Sequence, residues 1–263
     1  MANDLIVQMK GVSKSFGAVQ AVKNVDLELR RCETLGIVGD NGAGKSTLMK
    51  ILSGFIIPDE GEIYIEEKKV TIEDPQDARQ LGIEMIYQDL ALFNNLNVVD
   101  NVFIGRERTN RLLGLQFLDK RRMNRETGEL LQRLNIVINS IKSYAQNLSG
   151  GQRQMVAIAR AVAFEAHVKV LIMDEPHAAL GVAEANTVSE MIKGLRKHGL
   201  SVIVISHRIP ELLSFVDRVM VMKGGERVAL REASTTTVEE CVNLIVAGST
   251  TSQNTAPQAQ LSI

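Results

Sequence analysis

Apolar and polar positions change period several times along the chain, and each change marks a candidate element. Residues 4–9 and 25–30 alternate with period two, the pattern of strands with one buried face. The short apolar run 34–38 enters a glycine-rich turn, and a helical pattern over 47–54 ends near Gly54. Pro58-Asp59-Glu60-Gly61 is a turn signal, after which 62–66 alternates cleanly. Over 74–81, Asp74 can cap a helix with Pro75 at its first position. From about 90 to 166, strand signals give way to amphipathic helical segments such as 121–134. Two very apolar runs follow, 168–173 and 200–205, patterned as strands buried on both faces, with a helical stretch 182–198 between them. A hairpin is expected from 216–222 and 226–230 around Lys223-Gly224-Gly225, then a last helix over 237–247. The stretch 248–263, rich in Ser, Thr, Gln, Asn and Ala, is expected to stay disordered. This layout predicts an α/β core with a helical insert, and such cores bind ligands at the C-terminal ends of parallel strands.

Composition narrows the class. With 45% hydrophobic and 23% charged residues in 263, the chain is neither disordered throughout nor fibrous, and its length suits one large domain or two small ones. Thirty basic against 31 acidic residues argue against nucleic-acid binding, which wants a basic excess. The run Lys120-Arg121-Arg122 reads as a solvated face. Cys32 and Cys241 are too few and too far apart for a disulfide framework or a metal site, which points to a reducing compartment. Cys241 lies in an apolar helical pattern and reads as a small buried hydrophobe. No apolar run approaches the ~20 residues that a bilayer span needs, and the start lacks a signal-peptide pattern. The expectation is a cytosolic chain able to dock on a membrane protein.

The chemistry lies in three segments. Gly39-Asp40-Asn41-Gly42-Ala43-Gly44-Lys45-Ser46 fits the phosphate-loop pattern G-x-x-x-x-G-K-[ST], with a strand before it and a helix after it. Its glycines let backbone N–H groups wrap phosphate oxygens at a helix N-terminus. Lys45 would reach the β- and γ-phosphates, Ser46 would ligate Mg2+, and Thr47 would contact the α-phosphate. The buried run 168–173 leads into Asp174-Glu175-Pro176. Asp174 would hold Mg2+ through water, and Glu175 would act as general base. An acidic pair there is also explained by the charge preference of a helix N-terminus; the upstream phosphate loop raises the catalytic reading. In Leu148-Ser149-Gly150-Gly151-Gln152, adjacent glycines open a helix over 153–165, so Ser149 and the Gly150 and Gly151 amides can bind a phosphate.

In their chain order, 39–47, 148–152 and 174–175, the three motifs resemble those of the ABC-type ATPases, over about residues 5–247. The resemblance implies a P-loop NTPase (RecA-like) core with an antiparallel β subdomain and an inserted α-helical subdomain. It implies a single domain over 1–247 with the insert at about 90–166. It also implies that ATP held by Gly39 through Thr47 meets Ser149, Gly150, Gly151 and Gln152 of an opposite subunit. Gln88, in Met85-Ile86-Tyr87-Gln88, matches the glutamine that touches Mg2+ or the attacking water and senses the membrane partner. His207, in Ile205-Ser206-His207-Arg208, matches the switch histidine that bridges γ-phosphate and base. Phe16, in Ser15-Phe16-Gly17, matches the aromatic that stacks on adenine. Without the resemblance, a lone His after a strand is a polar loop residue and an isolated Phe is core.

Three positions depart from the family pattern. Gly181, in Ala178-Ala179-Leu180-Gly181, stands where most members have Asp, which puts cross-subunit coupling in question. His177 replaces the usual Thr or Ser; beside Glu175 it would perturb the base or face solvent. Cys32 replaces a common Gly. The Ala-Leu-Gly segment followed by Val182 and Glu184 resembles the ATPases of monosaccharide importers of the ribose, galactose, xylose or fructose type. So do Phe16-Gly17-Ala18-Val19-Gln20-Ala21 and Asn101-Val102-Phe103-Ile104-Gly105-Arg106-Glu107. Those ATPases are often two fused copies, so this single copy would pair with itself or a homologue on binding ATP. The resemblance thus implies an importer subunit peripheral to the cytoplasmic face of the membrane. It would act on transmembrane permease subunits, and through them on a sugar-binding protein. Two alternatives stay open: a soluble ABC ATPase of an assembly machine, and a catalytically weak ATP-sensing module. A P-loop kinase would leave Leu148–Gln152 without a role.

Overall fold

The fold, obtained as a computed structural model, is described for residues 4–112, 115–163 and 168–248. Strands β1 (Leu5–Phe16), β2 (Val19–Arg30), β4 (Glu60–Ile65) and β5 (Lys68–Val70) form a four-stranded antiparallel sheet in the order β2-β1-β4-β5. A six-stranded sheet contains β3 (Thr34–Val38), β6 (Ile83–Ile86), β9 (Val170–Asp174), β10 (Ser201–Ile205), β11 (Arg218–Lys223) and β12 (Glu226–Glu232). Its order is β12-β11-β3-β10-β9-β6, parallel throughout except for β12. The helices are α1 (Lys45–Leu52), α2 (Pro75–Gln80), α3 (Val98–Phe103), α4 (Lys120–Arg133), α5 (Gly150–Val162), α6 (Val182–Lys197), α7 (Ile209–Leu213) and α8 (Val238–Ala247).

The parallel sheet is the wall between two cores. Successive side chains of a strand point to opposite faces. Val170, Ile172, Ile203 and Ile205 therefore pack with the antiparallel sheet and α1. Leu171, Met173, Val202 and Val204 pack with α5, α6 and α8 on the other face. Both faces are covered, so these strands read as continuous apolar runs rather than alternating ones.

At the end of the sheet away from the phosphate loop, the Arg218 guanidinium and Glu33 carboxylate pair while only 6% and 5% exposed. Both Nε and Nη2 of Arg218 donate to Glu33, and Nη2 also donates to the Glu28 carbonyl at 2.9 Å. The Arg30 N–H donates to the same carboxylate at 2.6 Å. Cys32 beside it has φ +53°, a conformation that glycine enters without steric cost.

The α/β expectation holds, with differences of detail. Asp74 does cap α2, accepting from Gln76 N–H at 2.7 Å and Asp77 N–H at 3.0 Å, with Pro75 at the first position. Strand β1 runs to Phe16, well past the alternation at 4–9, because bulges between Met9 and Val12 break its period. Within the stretch expected to lack strands, β7 (Thr109–Leu112) and β8 (Leu115–Leu118) pair antiparallel. All four β8 residues are exposed, so no burial pattern marked that strand in the sequence. The end of the helix expected over 153–165, and all of the tail at 248–263 but Gly248, fall outside the described residues.

Candidate nucleotide site

Strand β3 ends at Val38, and the chain turns through 39–44 into α1. Two glycines make this turn possible. A Cβ on Gly39 would lie 2.2 Å from the Met222 carbonyl oxygen, and one on Gly44 (φ +93°) 2.3 Å from that of Ala21. Gly44 offers no side-chain cap to α1, so the first N–H groups of the helix stay available to an anion. The loop borders a cavity of about 850 Å³.

Four further segments reach the same cavity: Gln88 after β6, Asp174 and Glu175 at the end of β9, His207 after β10, and α8. Parallel pairing sets Asp174 beside Ile205, at matching strand ends. Glu175 takes φ +53°, held by its N–H donating to the Ile205 carbonyl at 3.0 Å. A left-handed non-glycine residue at this point is strain retained by its surroundings. Its carboxylate Oε2 lies 2.8 Å from His207 Nδ1; Glu175 is 15% exposed and His207 65%. Lys45 is buried, and its Nζ donates to the carbonyls of Gly39 at 2.7 Å and Asp40 at 2.9 Å. Burial lowers its pKa from the ordinary lysine value, against the pull of Glu175, Asp174 and Asp40.

The stretch 39–47, Gln88, Asp174, Glu175 and His207 thus share one cavity, as the sequence grouped them. Phe16 and the Ser149–Gln152 turn are not among its lining residues. Phe16 is half-exposed at the end of β1, with the Lys14 ammonium 5.8 Å from its ring centroid. Ser149 is the N-cap of α5: it accepts from the Gln152 N–H at 3.3 Å, while Gln152 accepts from the Ser149 N–H at 3.1 Å. Sequence reading missed Val242, Ile245 and Val246 of α8, which also line the cavity. Lys223 Nζ fastens this end of the helix by donating to the Val246 carbonyl. The apolar pattern of α8 announces a buried face but not which surface it meets.

His177 does not line the cavity, and the expectation that it faces solvent is corrected. It is buried, edge-on to Phe215 with centroids 5.4 Å apart, and its Nε2 lies 3.1 Å from Ser189 Oγ. The Ser189 hydroxyl donates to the Ala185 carbonyl at 3.0 Å, so it accepts from Nε2–H, which leaves Nδ1 deprotonated and unpartnered. Burial, and then nearby Arg208, push the imidazole pKa below its ordinary 6.5. Below pH 6.5 the unfolded chain therefore takes up a proton that the buried native imidazole resists. Stability from this group is complete above pH 6.5 and falls as pH drops from there towards the lowered native value. His177→Thr is expected to leave ATP turnover unchanged and to cost about 2 kcal/mol of stability at pH 7.5, a cavity penalty. That gap should narrow at pH 5.5 in thermal melts; a constant gap would exclude a neutral native imidazole.

The comparisons place these features in a known context. A family profile described as ABC transporter matches residues 22–178. The xylose/arabinose import ATP-binding protein of Sulfolobus acidocaldarius is 46% identical over 240 residues, covering 91% of this chain and 93% of that protein. The fructose import ATP-binding protein of Rhizobium meliloti is 42% identical over 246 residues, covering 92% of this chain and 94% of that one. A ribose import ATP-binding protein of Caldanaerobacter subterraneus is 42% identical over 241 residues; the chain spans 47% of its length. Among solved structures, a nucleotide-free ATP-binding cassette from an ABC transporter superposes with a TM-score of 0.78 at 26% identity, covering 92% of this chain and 95% of that one. A dimeric bacterial ABC transporter cassette gives a TM-score of 0.71 at 27% identity, covering 86% and 98%.

Proposed function

The chain belongs to the ABC transporter family of ATP-binding subunits, and from that premise we propose that it hydrolyses ATP to drive import of a monosaccharide. The observation that carries the catalytic reading is the convergence of Lys45, Asp174, Glu175 and His207 on the cavity beside the phosphate loop. Lys45 exchanges its two carbonyl partners for phosphate oxygens, and its desolvated charge balances the charge of the transferred phosphoryl group. The Glu175 carboxylate takes the proton of the attacking water, and His207 at 2.8 Å orients that carboxylate.

The Ser46 hydroxyl, the Gln88 amide and the Asp174 carboxylate bring only oxygen donors to one cavity, which fits a hard cation such as Mg2+. No group of three or more His, Cys, Asp or Glu able to hold a metal occurs among the described residues. An ion held there would complete its shell with nucleotide phosphate and water. When bound, it neutralises phosphate charge.

The monosaccharide class is taken from the xylose, fructose and ribose importers named above. Among the described residues no helix is long and apolar enough to cross a membrane. By its likeness to import ATP-binding proteins, the chain meets permease subunits from the cytoplasmic face, and through them a sugar-binding protein. Beside Gln88, Phe55 is 57% exposed and packs edge-on against Tyr87 at 5.2 Å. With Ile56, Lys50 and Asp89 these rings line an open apolar groove suited to an amphipathic element of the permease. Because Ser149–Gln152 stand outside the cavity of their own chain, a second copy or a homologue supplies that turn to each ATP.

The test is Mg2+-dependent phosphate release, with Lys45→Ala beside the wild type and co-purification scored against permease subunits. Losing the charged hydrogen bonds of Lys45 is expected to weaken ATP binding by about 30-fold, on the order of 2 kcal/mol. Turnover with association to a soluble scaffold and no membrane fraction would favour the assembly-machine alternative. ATP binding without turnover would favour the sensing module.

A further inference from the structure

We propose that Glu184 is a positioning residue: its carboxylate ties the Ser149–Gln152 turn to the loop before α6, setting that turn for the ATP of a second copy. The proposal rests on the two-copy reading above. The observation is a single carboxylate shared by two helix starts. Glu184 Oε2 accepts from the Gly181 N–H at 3.4 Å, closing the first turn of α6. Its Oε1 accepts from the Gly151 N–H, also at 3.4 Å, in the first turn of α5. The nearby Ser149 hydroxyl, ahead of the two amides, is the main reason the Glu184 carboxyl is held below the usual carboxylate range. Positive partial charge at both helix starts favours the anion between them.

The packing around it is close. A Cβ on Gly151 would lie 3.1 Å from the Glu184 Cβ, and one on Gly150 2.9 Å from Leu180 Cδ2. The two glycines of the turn thus admit Leu180 and Glu184 of the following segment, a demand separate from any ligand. Ser149 and Gly151 are also the donors assigned to the partner's ATP. At 3.4 Å the Gly151 N–H can share a second acceptor, since three-centre bonds are common at helix termini. Val182, next along the chain from Gly181, is 79% exposed, so this corner is open to a second copy. Gly181 has no side chain, and Glu184, three residues on, brings a carboxylate to the Gly181 backbone.

The experiment compares Glu184→Ala and Glu184→Gln, each in a Glu175→Gln background, by light scattering during ATP titration. Glu184→Ala is expected to raise the ATP concentration for half-maximal dimer about tenfold, the loss of charge-assisted hydrogen bonds. Glu184→Gln keeps the length but one acceptor oxygen, and should fall between. Binding of a fluorescent ATP analogue to dilute single chains should not change. In otherwise wild-type protein KM should rise while kcat at saturating ATP is kept. An unchanged dimer midpoint in Glu184→Ala overturns the proposal. So does an equal loss of single-chain binding, which would mark a purely structural role. If Glu175→Gln alone forms no dimer with ATP, the two-copy reading fails and this proposal with it; a parent that dimerises with an indifferent Glu184→Ala removes this proposal alone.

Discussion

Glu175→Gln is expected to lower phosphate release by roughly 10²- to 10⁴-fold, the range a positioned general base contributes, while ATP still binds. The substitution is chosen because it changes basicity and little else. Glutamine has the same length and volume and can keep an oxygen towards His207, now 2.8 Å from the carboxylate. The left-handed backbone at this position is imposed by the N–H bond to the Ile205 carbonyl, which the variant retains. Lys45 and the phosphate loop are untouched, so nucleotide affinity should persist. With binding intact and turnover stalled, ATP should accumulate at the interface and hold two copies together, visible as an ATP-dependent rise in mass. Full turnover in the variant would place the base elsewhere and remove Glu175 from the mechanism.

The second large effect concerns stability. Arg218→Met is expected to cost 3–5 kcal/mol, roughly the penalty for leaving a buried carboxylate without its partner. Glu33 would then keep only the Arg30 N–H, inside a region shut off from water. The Glu28 carbonyl would lose the Nη2–H at the same time. A domain holds only about 5–15 kcal/mol in total, so urea denaturation at 25 °C should show a clearly lower midpoint with an unchanged slope. Replacing both partners, as Glu33→Gln with Arg218→Met, should recover much of the loss, because no buried charge then remains. A single variant with wild-type stability would show that water reaches the pair. This pair lies at the opposite end of the sheet from the cavity, so phosphate release per folded molecule should be unaffected.

Much of this molecule was legible in local sequence. The phosphate loop, the acidic pair after an apolar run and the serine-capped glycines of 149–152 are each dictated by short-range chemistry. Dihedral freedom, a helix start and a side chain one or two residues away suffice to recognise them. The Asp74 cap and the doubly buried strands were legible for the same reason. The second half of β1 was hidden by bulges, and the β7–β8 hairpin by its exposure. Other features join residues far apart in the chain, and no periodicity encodes them. Arg218 finds Glu33, α8 reaches the mouth of the cavity, and His177 turns inward to Ser189 rather than towards Glu175.

The sequence by itself determined the types of the core elements, the nucleotide chemistry and the family, because these depend on residue identity and spacing within one turn or strand. Only the tertiary structure decided which groups share a cavity and which stand apart. Parallel pairing of β3, β10 and β9 aligns strand ends from three distant segments, and so brings Lys45, Asp174, Glu175 and His207 together. The same packing holds Ser149–Gln152 outside that cavity and sets Glu184 between two helix starts. Contacts of this kind follow from burying both faces of one sheet at once, a condition on the whole chain that no local stretch can state.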